Sequence, residues 1–337
     1  MLPVLEVKKE IPIYTPKHRD LIYDVGLHKG EDAEFYLRKG FRVVAFEADP
    51  DLIASCRKRL KEFIDHGQLT IIEGAIVGPD AIRSGQKKVR FYKNYDRSVW
   101  GTVCADWVER NARLGASSNV IEVEAINFAD AIREHGVPYY MKIDIEGCDT
   151  VCISALRDFQ ERPTYLSIES DKTSFGNIER EIDLLIKLGY SSFQAVEQSA
   201  ISLSQSPPNP PREGKYVAQR FEEGSSGLFG SELAGKWKSR HEILRQYRSI
   251  RLGYLLLGDD GSMRKWRFRG AGRLRSLTGR FLGLFTHAAV PGWYDTHARH
   301  CCADVSNVMT TIAVRSTSRV LVHTGDDERQ DSELHSG

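Results

Sequence analysis

A strand, a glycine turn, a helix and a second strand follow one another directly near the start of the chain, and this unit constrains the fold most strongly. Residues 21–25 form a short apolar run, and the turn begins at Gly26. Helical spacing covers residues 31–39, and a second apolar run over residues 42–47 ends in an acid. A unit of this kind forms half of a nucleotide-binding crevice.

The turn itself indicates which nucleotide is bound. Asp24, Gly26 and Gly30 form a D-x-G-x-x-x-G pattern, whereas a dinucleotide fold requires G-x-G-x-x-G. The acids Glu31 and Asp32 at the helix start would repel a pyrophosphate but tolerate a cationic sulfonium. The pattern therefore favours S-adenosylmethionine over NAD. An ordinary β-α-β turn with glycines for packing is the alternative.

Further strands and helices alternate as far as residue 196, which predicts an α/β fold with a doubly wound, mostly parallel sheet. Two runs with alternating polarity, 88–92 and 120–124, predict an antiparallel insertion. The other predicted strands cover residues 69–73, 139–145, 164–169 and 191–196, and the other predicted helices cover 50–64, 127–135, a stretch from about 150, and 175–188.

One predicted strand carries charge where a central parallel strand is normally apolar. Lys142, Asp144 and Glu146 fall on one face of the run from residue 139 to 147. Ligands bind at the carboxyl ends of strands in open α/β sheets, so these side chains are candidates for the site. We expect Asp144 to act as the base or to orient the acceptor, with Glu146 as the second candidate. Lys142 contacts the substrate or neutralises a neighbouring carboxylate; a purely structural charge ladder is the alternative.

Other site residues are expected at the remaining strand ends. Glu47 is assigned to the donor ribose, because a carboxylate can accept both hydroxyls of a diol. Asp24 orients the turn or approaches the methionine amino group, and Glu73 with Ala75 lines the adenine pocket. Glu169 faces the acceptor. His28 is a candidate base, with a role as turn filler as the alternative. Trp100 and Trp107 are candidate walls of an acceptor pocket, with ordinary packing as the alternative.

The segments YDVGLHKGEDAEFYLRKGF, VVAFEADP and YYMKIDIEGCD resemble the FkbM-type family of S-adenosylmethionine-dependent methyltransferases over residues 20–200. Later segments, SGLFG at 226–230 and GWYDTHA at 292–298, resemble one branch of it. His28 replaces an Asn that many relatives carry. The resemblance implies a Rossmann-like class I methyltransferase fold whose seven-stranded sheet has one antiparallel strand.

Composition narrows the class of protein further. A net charge of +1 gives no overall field toward nucleic acid, and we expect no nucleic-acid partner. None of the six cysteines forms a C-x-x-C pair, so no metal site is predicted, and a reducing compartment is favoured. The sequence shows neither a signal peptide nor a transmembrane run, which predicts a cytoplasmic protein.

The chain is expected to divide into an N-terminal segment (1–19), a methyltransferase domain (20–203), a linker with a C-terminal extension (204–298) and a disordered tail (299–337). The four prolines of residues 204–214 predict the linker. Residues 236–280 hold 13 Lys and Arg against three acids, so this segment is either a solvated face or a contact for an anionic surface.

Three functions remain open from the sequence. The first is O-methylation of a hydroxyl on a small molecule or glycan. The second is an NAD-dependent or nucleotide-sugar oxidoreductase, disfavoured by the missing glycine pattern. The third is a non-catalytic binding module of the same fold.

Overall fold

The computed structural model describes residues 12–94, 101–104, 107–109, 112, 115, 117–145, 147–170, 174–199, 201–222, 224–257 and 294–303. The chain divides into two compact units, Met1–His300 and Cys301–Gly337. The expectations for Glu146, Trp100 and the tail beyond residue 303 lie outside the described residues.

The described strands and helices follow the predicted alternation. The strands are β1 (Lys17–Val25), β2 (Arg42–Glu47), β3 (Leu69–Glu73), β4 (Ala75–Ile76), β5 (Lys88–Asn94), β6 (Ser118–Ile126), β7 (Val137–Ile143), β8 (Tyr165–Glu169), β9 (Tyr190–Glu197) and β10 (Tyr294–His300). The helices are α1 (Glu31–Arg38), α2 (Pro50–Arg59), α3 (Lys61–Asp65), α4 (Pro79–Arg83), α5 (Phe128–His135), α6 (Asp149–Ala155), α7 (Phe175–Lys187), α8 (Ile201–Ser204) and α9 (Arg240–Leu257).

Seven strands form the main sheet, in the order β3-β2-β1-β7-β8-β10-β9. Strands β3, β2, β1, β7 and β8 pair in parallel, and β10 is antiparallel to both β8 and β9. The α/β fold with a mostly parallel seven-stranded sheet is thereby confirmed. A smaller sheet joins β4, β6 and β5, and its antiparallel β5–β6 pair is the expected insertion.

Strand β10 lies beyond the expected domain boundary at residue 203. Its register places Asp295 opposite Glu169 of β8 and Val196 of β9, so it fills the gap between two strands of the methyltransferase domain. Strand β10 therefore belongs to the sheet and not to an extension.

Residues 205–238, which we term the covering segment, pack on one face of the sheet. The Lys39 ammonium and the Glu232 carboxylate form a fully buried ion pair at 2.9 Å. Phe229 stacks on Tyr140 of β7 with ring centroids 4.6 Å apart, a contact worth about 0.5–1.5 kcal/mol beyond burial. Glu213, next to the proline-rich stretch, is buried and accepts a hydrogen bond from the Ser231 amide at 2.8 Å. The proline-rich stretch therefore leads into packed structure, in contrast to the expected linker.

Helices cover the opposite face of the sheet, and the basic segment begins with one of them. Ile243, Leu244 and Tyr247 of α9 are buried in the core that also contains α5, α6 and α7. Arg240 binds Asp183 of α7 at 2.6 Å, so part of the positive charge is paired within the fold. Residues 258–280 of the basic segment lie outside the described residues. No described helix combines the length and the apolar run that a membrane span requires.

Candidate functional site

The carboxyl ends of β1, β2 and β7 meet at one edge of the sheet. From β1 the strand order runs to β2 and β3 on one side and to β7 and β8 on the other. The Gly26 and Leu27 amides donate to the Phe46 carbonyl at 3.1 and 2.9 Å, and the Asp144 amide donates to the Val25 carbonyl at 2.9 Å. Strand β1 lies between β2 and β7, which makes this edge the switch point where open α/β sheets bind ligands.

A cavity opens at this edge, and we term it the main pocket. Five carboxyl groups and a single ammonium are among its lining groups, so its described part is negatively charged. This charge suits a cationic ligand and opposes a pyrophosphate. The residues that line it and bear on the argument are Gly26, His28, Glu31, Asp32, Glu47, Asp49, Leu52, Ala75, Phe91, Thr102, Lys142, Asp144, Cys148 and Gly224.

Glu47 ends β2 and is held by the backbone around it. Its Oε2 accepts from the His28 amide at 2.8 Å, and its Oε1 accepts from the Ala48 and Asp49 amides at 2.9 and 2.8 Å. Burial raises the pKa of Glu47 to about 7, although these amide donors oppose the shift. The carboxylate is thus fixed in orientation at the pocket wall, and its binding of the ribose stays a prediction.

Lys142 is the centre of a buried ion cluster beneath the pocket. Its Nζ lies 3.1 Å from Asp24 Oδ1 and 3.7 Å from Asp32 Oδ2, and it donates to the Gly26 carbonyl at 3.0 Å. Burial opposes its charge, yet the carboxylates of Asp24, Asp32 and Asp144 hold its pKa well above the ordinary value. Burial raises the pKa of Asp24 to about 6 against the opposing effect of Lys142. Lys142 therefore neutralises neighbouring carboxylates and fixes the glycine turn.

Asp32 connects this cluster to the covering segment. Both of its carboxylate oxygens accept from the Ser226 amide, each at 3.0 Å. Gly224, just before Ser226, lines the main pocket. The SGLFG segment thus closes one side of the pocket through Asp32.

Asp144 follows β7 directly and lines the main pocket. Burial raises the pKa of its carboxyl, with Lys142 opposing and Asp32 adding to the shift. A carboxylate with a raised pKa is a stronger proton acceptor than an ordinary one. The structure thus places Asp144 at the main pocket, and its role as a base stays a prediction.

His28 lies in the pocket but is a weak base. Its backbone is left-handed, with φ of 51°, and its Nδ1 lies 3.8 Å from Glu31 Oε2. Burial, with Lys29 and Lys142 adding to the effect, lowers its pKa to about 4. The imidazole is neutral at pH 7, so the base role with a pKa near neutrality does not fit this site.

The remaining expected residues divide between the pocket and its surroundings. Ala75 lines the pocket, whereas Glu73 lies at the surface and accepts from Arg57 at 3.0 Å. A Cβ at Gly30 would contact Leu60 at 3.1 Å, so this glycine serves helix packing and not the pocket. Glu169 lines a neighbouring cavity, described below.

The insertion supplies a wall of the main pocket through residues that the sequence did not single out. Phe91 and Thr102 line the main pocket opposite the glycine turn. Lys93 of β5 is buried and binds Asp49, the N-cap of α2, at 2.8 Å. This pair attaches the insertion to the Glu47 edge. The only sequence signal for this attachment is a lysine next to a strand whose alternating polarity indicates an exposed face.

The methyltransferase FkbM domain model matches residues 24–192. No curated protein matches the chain. The precorrin-6y C5,15-methyltransferase of Geobacter metallireducens is 13% identical, with a TM-score of 0.30, over 54% of this chain and 69% of that one.

Two further solved structures are similar to a comparable degree. A Galdieria sulphuraria protein, provisionally named a sarcosine dimethylglycine methyltransferase, is 10% identical, with a TM-score of 0.33, over 84% of this chain and 78% of that one. A provisionally named rRNA methylase of Clostridium thermocellum is 12% identical, with a TM-score of 0.29, over 57% of this chain and 83% of that one. Similarities of this size carry no argument about substrate.

Proposed function

Because this chain belongs to the FkbM methyltransferase family, we propose that it methylates a hydroxyl oxygen of a small molecule or sugar, with S-adenosylmethionine as the donor. Asp144 carries this proposal, since it lines the main pocket at the end of β7 with a raised pKa. A hydroxyl acceptor must lose a proton, and a carboxylate in that place can take it.

S-adenosylmethionine is the cofactor, and the described residues fit it. When bound, it supplies a methyl group on a positively charged sulfur that is already a leaving group. Glu47 would accept the ribose hydroxyls, and Ala75 with Phe91 would enclose the adenine. The excess of carboxylates over ammonium supports a cationic donor and opposes NAD.

The protein's part in the reaction is positioning and proton removal. Asp144 would take the hydroxyl proton of the acceptor, whose oxygen would receive the methyl group that the donor supplies when bound. Lys142 keeps the glycine turn and Asp24 in place. The covering segment and the insertion line two further parts of the pocket, through Gly224 and Phe91.

Donor binding and turnover test the proposal directly. Calorimetry should show binding of S-adenosylmethionine and none of NAD. Wild-type protein incubated with a metabolite extract and donor should produce compounds heavier by one CH₂ unit. Binding of NAD in place of S-adenosylmethionine would support the oxidoreductase alternative, and donor binding without any product would support a non-catalytic module.

The variant Asp144→Asn separates catalysis from structure. Lys142 keeps its partner Asp24 at 3.1 Å, so the variant should fold and bind the donor within a few-fold of wild type. The single-turnover rate should fall by about 10²–10⁴, the contribution of a positioned general base. A normal rate per folded molecule would remove Asp144 from the mechanism.

A further inference from the structure

A second cavity lies beside the main pocket, at the ends of β7 and β8, and we term it the Trp107 pocket. The loop of residues 144–149 separates the two: Asp144 and Cys148 face the main pocket, and Gly147 and Asp149 face the other. The two cavities therefore share the chain segment that begins with Asp144. The side chains of the Trp107 pocket used below are Trp107, Asp149, Glu169, Asn177, Arg180 and Glu181.

The indole of Trp107 packs closely against the backbone of Gly147 in the loop. A Cβ at Gly147 would lie 2.0 Å from the indole Nε1, and the φ of Gly147 is 91°. Only glycine therefore lets the indole take this position. Gly147 of the YYMKIDIEGCD segment thus leaves room for an aromatic side chain that comes from the insertion.

The Trp107 pocket is also lined by polar side chains that end in planar groups. Asn177 and Arg180 of α7 are hydrogen-bonded to each other, and Glu169 ends β8. Asp149 is buried and accepts from the Ile145 amide at 3.3 Å, while burial, with Asp144 adding to the effect, raises its pKa to about 6. Planar carboxylates, amides and guanidinium groups can each bind two adjacent hydroxyls at once.

Charge and polarity restrict the acceptor further. Among the described lining residues, three carboxyl groups face one guanidinium, so phosphorylated or sulfated compounds would be repelled. A purely apolar acceptor would leave these polar groups without partners, at a cost in binding. An uncharged molecule with many hydroxyls and one apolar face satisfies both conditions.

We propose that the Trp107 pocket binds an uncharged sugar ring, whose apolar face stacks on Trp107 and whose vicinal hydroxyls bind Glu169 and the Asn177–Arg180 pair. This proposal rests on the proposed function for the reaction, but sugar binding is measured without turnover.

Saturation-transfer NMR with the methyl glycosides of glucose, galactose, mannose and rhamnose tests the proposal on the full chain, with S-adenosylhomocysteine present. At least one glycoside should bind, and the 6-phosphate of a binding hexose should bind at least tenfold more weakly. Trp107→Ala should weaken binding at least tenfold, and Trp107→Phe by less, because it keeps an aromatic face. Glu109→Ala, on the same short helix but outside the pocket, serves as the matched control and should bind as wild type does.

Donor calorimetry on the same samples distinguishes the two proposals. If wild type binds the donor but none of the four glycosides, or if Trp107→Ala binds the glycoside as well as wild type, the sugar assignment is wrong. If the glycosides bind but S-adenosylmethionine does not, the proposed methyl transfer fails and the pocket assignment stands. Donor affinity in Trp107→Ala should stay within twofold of wild type, which also shows that the variant is folded.

Discussion

A Cβ atom at Gly26 would lie 2.0 Å from the carbonyl oxygen of Asp144. The glycine turn after β1 and the acidic end of β7 therefore touch backbone to backbone. The φ of Gly26, 92°, belongs to the left-handed region that side chains disfavour. The donor turn and the proposed base are thus fixed relative to each other by the main chain.

Gly26→Ala should disrupt this contact. Backbone strain and overpacking each cost about 1–3 kcal/mol, so the free energy of unfolding should fall by at least about 2 kcal/mol, with loss of donor binding. Gly78→Ala is the matched control, because nothing lies within 4 Å of its Cβ position. Thermal melts and calorimetry on both variants check this. A stable Gly26→Ala protein with normal donor affinity would contradict the described contact.

Donor affinity should depend on pH through Glu47. Its pKa of about 7 in the folded protein lies above the ordinary glutamate value of 4.5. If the ionised form accepts the ribose hydroxyls, affinity should rise from pH 6 to 8, by about tenfold per unit below the pKa. Calorimetry across this range should show the dependence in wild type and its loss in Glu47→Gln. Glu47→Ala should weaken binding by about 1.5–3 kcal/mol at pH 8.

The raised pKa of Glu47 also makes the stability of the donor-free protein depend on pH, but in the opposite direction to donor affinity. Because the folded state holds the Glu47 proton more tightly than the unfolded chain, this group's contribution to stability is present at low pH. That contribution is lost as the pH rises from 4.5 through about 7. Denaturant titrations of wild type and Glu47→Gln over this window measure it. An equal pH dependence in both proteins would show that other groups are responsible.

Lys142→Met should destabilise the fold. The change leaves the buried carboxylates of Asp24 and Asp32 without their cation, which costs about 3–5 kcal/mol. The loss should shrink as the pH falls from 8 towards 6, because the pKa of Asp24 is about 6 with Lys142 present and higher without it, so Asp24 takes up a proton in the variant first. Urea unfolding at pH 5 and pH 8 measures this. Lys29→Met, at an exposed position in the same turn, should change stability by less than about 0.5 kcal/mol.

A protein that ends at residue 203 should not form the native sheet. It lacks β10, so the facing edges of β8 and β9 lose their partner, and it lacks Glu232, which neutralises the buried Lys39. A protein that ends at residue 303 keeps both and should bind the donor. Circular dichroism, size-exclusion chromatography and calorimetry compare the two. A folded, donor-binding fragment 1–203 would restore the boundary that the sequence suggested.

Local patterns predicted the first half of the site well. Strand β2 and helix α2 follow from an apolar run and an Asp–Pro start, and in the structure the Asp49 side chain caps α2. Their ends lie close in sequence to the glycine turn, so strand order alone brings Glu47 and Gly26 together. Glu73 was misplaced because the residue that ends a strand can turn to solvent while its successor enters the pocket.

Contacts between distant segments could not be predicted in this way. Strand β10 buries Asp295, Thr296 and His297, so its sequence lacks the apolar run typical of a central strand. The Lys39–Glu232 pair joins residues 193 positions apart, and no local period reveals it. Prolines near residue 210 predicted a linker because local propensity does not register the aromatic contacts that follow.

The place of β10 between β8 and β9 has a consequence for synthesis. A nascent chain emerges from the ribosome with β8 and β9 long before residues 294–300 exist. During that interval two strand edges that are meant to share one partner remain exposed, and they can pair wrongly with each other or with another chain. The need for chaperones should therefore be greatest late in translation. Substitutions that weaken β10 should reduce the yield of native protein strongly, while the stability of the molecules that do fold falls less.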